Sequence, residues 1–180
     1  RRGIAGEDTA GIIATLPEIA IQLTYQDGAQ HVLLNGEDVS EAIRTPEISY
    51  YASKVSAVPE VRRFLLETQR NMAKNGNILM DGRDIGTVIL PDAPVKIFLT
   101  ASAQSRAERR YKELIEKGQQ VTMDGILHDI NERDRQDMTR TVAPLKQADD
   151  AVLLDTSSLT LEESIAAVLR IIREKTEEKA

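Results

Sequence analysis

The segment NILMDGRDIGTVILP, residues 77–91, places a cluster of charged residues directly after a short apolar run. The run ILM at residues 78–80 is typical of a strand buried on both faces of a sheet. Similar runs at residues 94–99 and 150–155 predict two further core strands. Segments with helical periodicity follow the second and the third of these runs, and strands that alternate with helices indicate a parallel sheet flanked by helices. The predicted fold class is therefore α/β.

Three helices are predicted around these strands. One begins near Ser102, where apolar residues start to recur with helical spacing. A second runs from about Thr122 to Asp137. The third begins after Thr160, because Thr160 and Glu163 have the spacing of a capping box.

The first part of the chain follows a different plan. Residues 17–39 contain an Asp-Gly and an Asn-Gly turn signal and predict a small antiparallel hairpin or meander. Pro46 and Pro59 each favour the first turn of a helix. We therefore expect one lobe over residues 1–76 and a core of parallel strands and helices over residues 77–180.

The amino-acid composition disfavours several classes of binding partner and of cellular location. The 180 residues carry a net charge of −6, which disfavours sequence-independent binding to nucleic acid or to an anionic membrane. No apolar run approaches the length of a membrane helix. The absence of cysteine excludes disulfides and thiolate metal sites and fits a reducing compartment. We expect a cytoplasmic protein.

Asp81, Arg83 and Asp84 are the first candidate site. Ligands of open α/β sheets bind beyond the carboxyl ends of the strands, where these residues would lie. The alternative is an Asp-Gly turn in which Asp84 pairs with Arg83. Gly82 and Gly86 favour a site, because residues without side chains would allow another molecule to approach closely.

A second polar cluster occupies residues 130–140. Arg133, Asp137 and Arg140 are spaced by four and then three residues, which places them on one face of a helix. The alternative is a solvated helix surface with many ion pairs, because the segment mixes both signs of charge.

Three segments together resemble the bacterial cytidylate kinase family. They are GEDVSEAIRTPEISYYASKVSAVPEVR at residues 36–62, DGRDIGTVILPDAPVKIFL at residues 81–99 and ERDRQDMTRTVAPL at residues 132–145. The resemblance implies transfer of the γ-phosphoryl group of Mg²⁺-bound ATP to CMP or dCMP. It also implies the fold of a P-loop nucleoside monophosphate kinase. In that fold a helical lid would span about residues 118–145, and the small antiparallel sheet with its helices would belong to the lobe that binds the acceptor nucleotide.

The resemblance assigns a base-reading role to three residues. Ser53, Arg62 and Asp84 match the positions that read cytosine in this family. A carboxylate can accept from the cytosine amine, and a guanidinium can donate to the ring acceptors. A uracil carbonyl would instead face Asp84 with like polarity, which disfavours UMP.

Further matches concern the ribose and the phosphates. Arg133 and Asp137 match positions that contact the ribose, and Arg83 and Arg140 match arginines that hold phosphates. Phosphoryl transfer spreads negative charge over oxygens that arginine binds well, so Arg83, Arg133 and Arg140 are the catalytic candidates.

The ATP side of the site is less complete. Asp81 is a candidate ligand of a Mg²⁺-bound water or, equally, a turn residue. Of the arginines at 106, 109 and 110, Arg110 is the candidate for contact with ATP, and we expect surface roles for at least two of the three. The 180 residues contain no Gly-x-x-x-x-Gly-Lys-Ser/Thr loop, whose amides and lysine hold the ATP phosphates.

The missing loop leaves alternatives open. The chain is either a fragment of a normal kinase or a natural truncation, and we expect little kinase activity from these residues alone. The other functional hypotheses are a pyrimidine-nucleotide-binding or interaction module without turnover and a kinase for another pyrimidine monophosphate such as UMP. For the kinase we expect a monomer whose partners are the nucleotides CMP, dCMP and ATP.

Overall fold

The computed structural model describes residues 2–74 and 76–177, apart from the side chains of Pro46, Ser49 and Ser53. The chain divides into two compact units, with the division between Ile78 and Leu79. Helices and strands occur in both units, and the predicted α/β class is confirmed. Among the described residues, no helix combines the length and the apolar character needed to cross a membrane.

The first unit contains the expected antiparallel meander. Its strands are β1 (Ile21–Gln26), β2 (Ala29–Leu34) and β3 (Glu37–Asp38), which pair in that order. Both connecting turns place their two central residues at positive φ, between 51° and 84°, which Asn, Asp and Gly tolerate best. The two turn signals in the sequence therefore fold as predicted.

Helices flank this meander along the chain. They are α1 (Thr9–Thr15), α2 (Pro46–Val55) and α3 (Pro59–Lys74), and a short 3₁₀ turn follows α1. Both proline-initiated helices are confirmed. Helix α1 has no counterpart in the sequence predictions, because its seven residues include a glycine and residues of modest helix propensity. It is held by its packing: Ile12 lies in one apolar cluster with Val58 and Val61.

The second unit contains a parallel pair of strands with three helices. Strands β4 (Ile97–Thr100) and β5 (Val152–Asp155) pair in register from their first to their last residues. The helices are α4 (Ala103–Glu116), α5 (Met123–Thr139) and α6 (Leu161–Glu177). The capping box before α6 is present, since Thr160 N donates to Glu163 Oε2 at 2.8 Å and Glu163 N donates to Thr160 Oγ1 at 3.2 Å.

The prediction of a strand at residues 78–80 is wrong. This segment has no regular structure, and the side chain of Leu79 is 89% exposed. An extended segment becomes a strand only when a neighbour takes its backbone hydrogen bonds, and no described residue pairs with it. The charged residues that follow therefore lie in an irregular stretch, which leads into a π-helical turn at Ile85–Ile89.

Candidate functional site

Four of the predicted site residues meet in the second unit. Arg83 Nε donates to Asp137 Oδ2 at 2.8 Å. One terminal nitrogen of Arg140 lies 3.9 Å from Asp84 Oδ2, and the other lies 3.9 Å from Asp137 Oδ1. We call Arg83, Asp84, Asp137 and Arg140 the quartet. Two segments more than 50 positions apart thus contribute one arginine and one aspartate each.

The end of α5 places two members of the quartet, although not as the sequence predicted. Arg140 is not on the helix face of Asp137, because α5 ends at Thr139 and Arg140 has the extended values φ −60° and ψ 140°. The chain then folds back: Leu145 N donates to the carbonyl of Asp137 at 2.8 Å, and Arg140 Nε donates to the carbonyl of Ala143 at 2.5 Å. This return holds Arg140 beside the helix end.

The carboxylates are the more buried half of the quartet. The side chains of Asp84 and Asp137 are 13% and 18% exposed, whereas Arg140 and Arg83 are 30% and 44% exposed. A shielded carboxylate is costly unless a cation lies beside it, and here each has one. The quartet carries two charges of each sign, so an anion that approaches the arginines must compete with the aspartates of the protein itself.

Arg140 keeps donor capacity for such an anion. Its terminal nitrogens lie 3.9 Å from the carboxylate oxygens, which is beyond hydrogen-bond range. A guanidinium can bind two oxygens of a phosphate at once through its fork of N–H groups. The quartet can therefore bind an oxyanion if the pairing of Arg83 with Asp137 is exchanged for contacts to the ligand.

Two further predicted residues lie near these segments. Arg133 is exposed on α5, one turn before Asp137, and within the described part of the chain its side chain has no polar partner. Asp81 is exposed in the irregular stretch before Arg83. The described residues contain no group of three or more carboxylate or histidine side chains placed to hold a metal ion.

The glycines beside the cluster do not open space for a ligand, as the sequence interpretation had supposed. A Cβ on Gly86 would lie 3.2 Å from Cδ of Lys96, and a Cβ on Gly82 would lie 2.9 Å from Cγ1 of Ile85. Side chains of this chain therefore fill the space. Lys96 is only 8% exposed and pairs with Asp150 at 2.6 Å.

The three arginines of α4 all make contacts within the second unit. Arg110 pairs with Glu113 at 2.7 Å, and Arg109 donates to the carbonyls of Thr156 and Leu159. Arg106 pairs with Asp134 on α5. Arg109 and Arg110 are exposed, as the expected surface roles of two of the three require, and contact between Arg110 and ATP stays a prediction.

The remaining predicted residues belong to the first unit. Ser53 lies on α2, and its side chain falls outside the described part of the structure. Arg62 lies in the first turn of α3 and is half-buried. The convergence of these two side chains with Asp84 on one base stays a prediction.

The comparisons with known proteins all identify the same family. The family model described as cytidylate kinase matches residues 1–174. A cytidylate kinase of Carboxydothermus hydrogenoformans is 48% identical over 171 residues, which are 95% of this chain and 77% of the relative. One from Syntrophotalea carbinolica is 46% identical over 97% of this chain and 74% of the relative. One from Thermosipho melanesiensis is 52% identical over 86% of this chain and 70% of the relative.

Proposed function

Because the chain belongs to the cytidylate kinase family, we propose that it transfers the γ-phosphoryl group of ATP to CMP or dCMP and releases ADP. The quartet is the observation that supports this most directly. It brings arginines suited to phosphate and carboxylates suited to a base amine and a ribose hydroxyl into one cluster.

We assign the acceptor phosphate to Arg83 and Arg140. A phosphate that binds Arg83 takes the place that Asp137 Oδ2 holds at 2.8 Å, and the released carboxylate of Asp137 can then accept from the ribose hydroxyls. Arg133 is exposed one turn away and can add positive charge as negative charge spreads over the transferring oxygens. No covalent intermediate is needed, since both nucleotides are bound together and oriented.

We assign selection of the base to Asp84, Arg62 and Ser53. Asp84 is well shielded from water, and a uracil carbonyl placed against it would present an acceptor to the carboxylate where the cytosine amine presents a donor. Such unpaired polar groups reject an analogue more strongly than a difference in shape does. This assignment favours CMP and dCMP over UMP.

Membership of the family supports ATP as the phosphate donor, usually together with Mg²⁺. Magnesium is commonly bound through one or two carboxylates together with substrate phosphates and waters, and the single exposed carboxylate of Asp81 fits that pattern. When bound, the ion neutralises phosphate charge. The 180 residues contain no phosphate loop, and the alternative of a nucleotide-binding module without turnover rests on that observation.

The proposal retains a cytoplasmic monomer that acts on free nucleotides. The net charge of −6 argues against nucleic acid as a partner, and the absence of cysteine is compatible with a reducing compartment.

The test measures ADP release with CMP, dCMP and UMP as acceptors. The 180-residue chain and the protein expressed from its complete reading frame are assayed side by side, and CMP binding is measured by calorimetry. We expect ADP release that depends on CMP or dCMP and is much slower with UMP. CMP binding by both proteins without any ADP release would support the binding module instead.

A further inference from the structure

Arg106 connects three elements of the second unit. Its two terminal nitrogens donate to the two carboxylate oxygens of Asp134 on α5, at 2.9 and 2.5 Å. Its Nε donates to the carbonyl of Ala101, one residue beyond β4, at 3.0 Å. One side chain on α4 thus links the carboxyl end of the sheet to the part of α5 that carries Arg133 and Asp137.

Apolar packing does not reach this part of α5. The cluster between α4 and α5 contains Ala107, Leu114 and Ile126, and its most C-terminal member on α5 is Ile130. From residue 131 to residue 139 the helix has a single apolar side chain, Met138, which is 57% exposed. The last two turns of α5 therefore depend on polar contacts, and among the described residues the contact between Arg106 and Asp134 is the one directed to α4.

We propose that Arg106 is a positioning residue for the phosphoryl transfer. Its paired hydrogen bonds to Asp134 fix the C-terminal turns of α5, and with them Asp137 and Arg133, relative to the carboxyl end of β4. The inference rests on the proposed function, because it concerns the residues assigned there to the acceptor nucleotide. It adds a residue that would act through Asp134 and α5 rather than on a substrate directly.

The geometry suits this role better than a role in stability. A bidentate guanidinium–carboxylate pair fixes distance and orientation together, which a single ion pair does not. The two side chains are 36% and 29% exposed, so solvent screens part of their mutual attraction and we expect the pair to contribute modestly to the free energy of folding. A misplacement of about 1 Å at a reacting group can nevertheless reduce turnover by ~100-fold.

The test is a double-mutant cycle with Arg106→Met, Asp134→Met and the double variant, made in the protein expressed from its complete reading frame. Arg135→Met is the control, because it removes an arginine of α5 whose side chain, within the described part of the chain, pairs only with Glu132 of the same helix. For each protein kcat, the KM values for CMP and ATP, and Tm are measured. Arg106→Lys tests whether charge without the fork is sufficient.

We expect each single variant to lower kcat/KM for CMP by about 10- to 100-fold, while the KM for ATP changes little. The double variant should regain any lost Tm, because no partly buried charge is left without a partner, but it should not regain kcat/KM. Lysine should restore only part of the activity, and the control should stay within about twofold of wild type.

Recovery of kcat/KM together with Tm in the double variant would overturn the positioning role, as would a loss no larger than that of the control. A wild-type protein without CMP-dependent ADP release would instead overturn the proposed function, and the inference with it.

Discussion

Arg83 and Asp137 are 54 positions apart in the chain, and they are joined by a 2.8 Å contact from Nε to Oδ2. We propose that Arg83 binds a phosphate of the acceptor nucleotide and that Asp137 binds a ribose hydroxyl. In the structure each of the two side chains satisfies the charge of the other. Nucleotide binding would therefore replace the contact between Arg83 and Asp137 with contacts to the phosphate and the ribose. The mutual pairing of the two side chains lowers the desolvation cost of a shielded carboxylate and an arginine that are both available to a ligand.

The first prediction separates the two roles of Asp137. Asp137→Asn should bind inorganic phosphate about 3- to 10-fold more tightly than wild type, because the carboxylate no longer competes for Arg83. The same variant should bind CMP about 10-fold more weakly, because the charged acceptor for the ribose is lost. Calorimetry with phosphate and with CMP measures both effects.

The matched control is Asp129→Asn, which makes the same charge change at an exposed position of α5. It should leave both affinities close to those of wild type. Equal changes in the two variants would mean that net charge, rather than the contact with Arg83, governs anion binding.

The second prediction concerns the choice of base. Asp84→Ala should lower kcat/KM for CMP by about 100-fold and change the value for UMP much less, because the uracil carbonyl gains nothing from the carboxylate. Arg62→Met should also lower activity with CMP more than with UMP. Steady-state kinetics with both acceptors provide the measurement, and parallel losses with CMP and UMP would rule out a base-reading role for Asp84.

The third prediction is a dependence of stability on pH in the first unit. Asp38 accepts from the hydroxyl and the backbone N–H of Ser40 and pairs with His31, and these contacts lower the pKa of Asp38 to about 2. Because the pKa is depressed on folding, the stabilisation is fully present above the ordinary value of 3.8 and is lost as the pH falls towards 2. Thermal melts between pH 5 and pH 2 should therefore show a smaller loss for Asp38→Asn than for wild type.

Asp27→Asn, in the turn between β1 and β2, provides the same change of charge outside this network. Its melting temperatures should follow those of wild type across the same pH range. If Asp38→Asn lost as much stability as wild type over that range, the hydrogen bonds around Asp38 would not be the cause.

The fourth prediction tests whether the side chain of Lys96 packs directly against Gly86. Gly86→Ala should reduce the free energy of unfolding by about 1 to 2 kcal/mol, because the new methyl group meets the buried stem of Lys96. The double variant Lys96→Ala with Gly86→Ala should lose less free energy of unfolding than the sum of the losses in the two single variants. Urea unfolding measures this coupling, and strict additivity would contradict direct packing of the two residues.

Local signals in the sequence were sufficient for most elements. The Asp-Gly and Asn-Gly turns, the helix-initiating prolines and the capping box at Thr160 act over a few residues, and the structure contains all of them. Local signals were not sufficient for residues 78–80. A strand forms only when a second strand takes its backbone hydrogen bonds, and the sequence of the segment does not specify that second strand.

The sequence predicted which residues belong to the site, but not which side chains pair with each other. Charge and spacing identified the members of the quartet, and the family resemblance gave them roles. Nothing in the spacing shows that Arg106 pairs with Asp134, which is 28 positions away, or that Lys96 fills the space beside Gly86. Such contacts arise from the packing of α4 on α5 and of the π-helical turn on the residues before β4.

The most direct measurement of the central claim is transfer of labelled phosphate from γ-labelled ATP to CMP by the protein expressed from its complete reading frame. We expect label to appear in CDP, and we expect Arg83→Met and Arg140→Met each to reduce the transfer rate by about 100-fold or more. Absence of label from CDP, or a rate unchanged by both substitutions, would contradict phosphoryl transfer at the quartet.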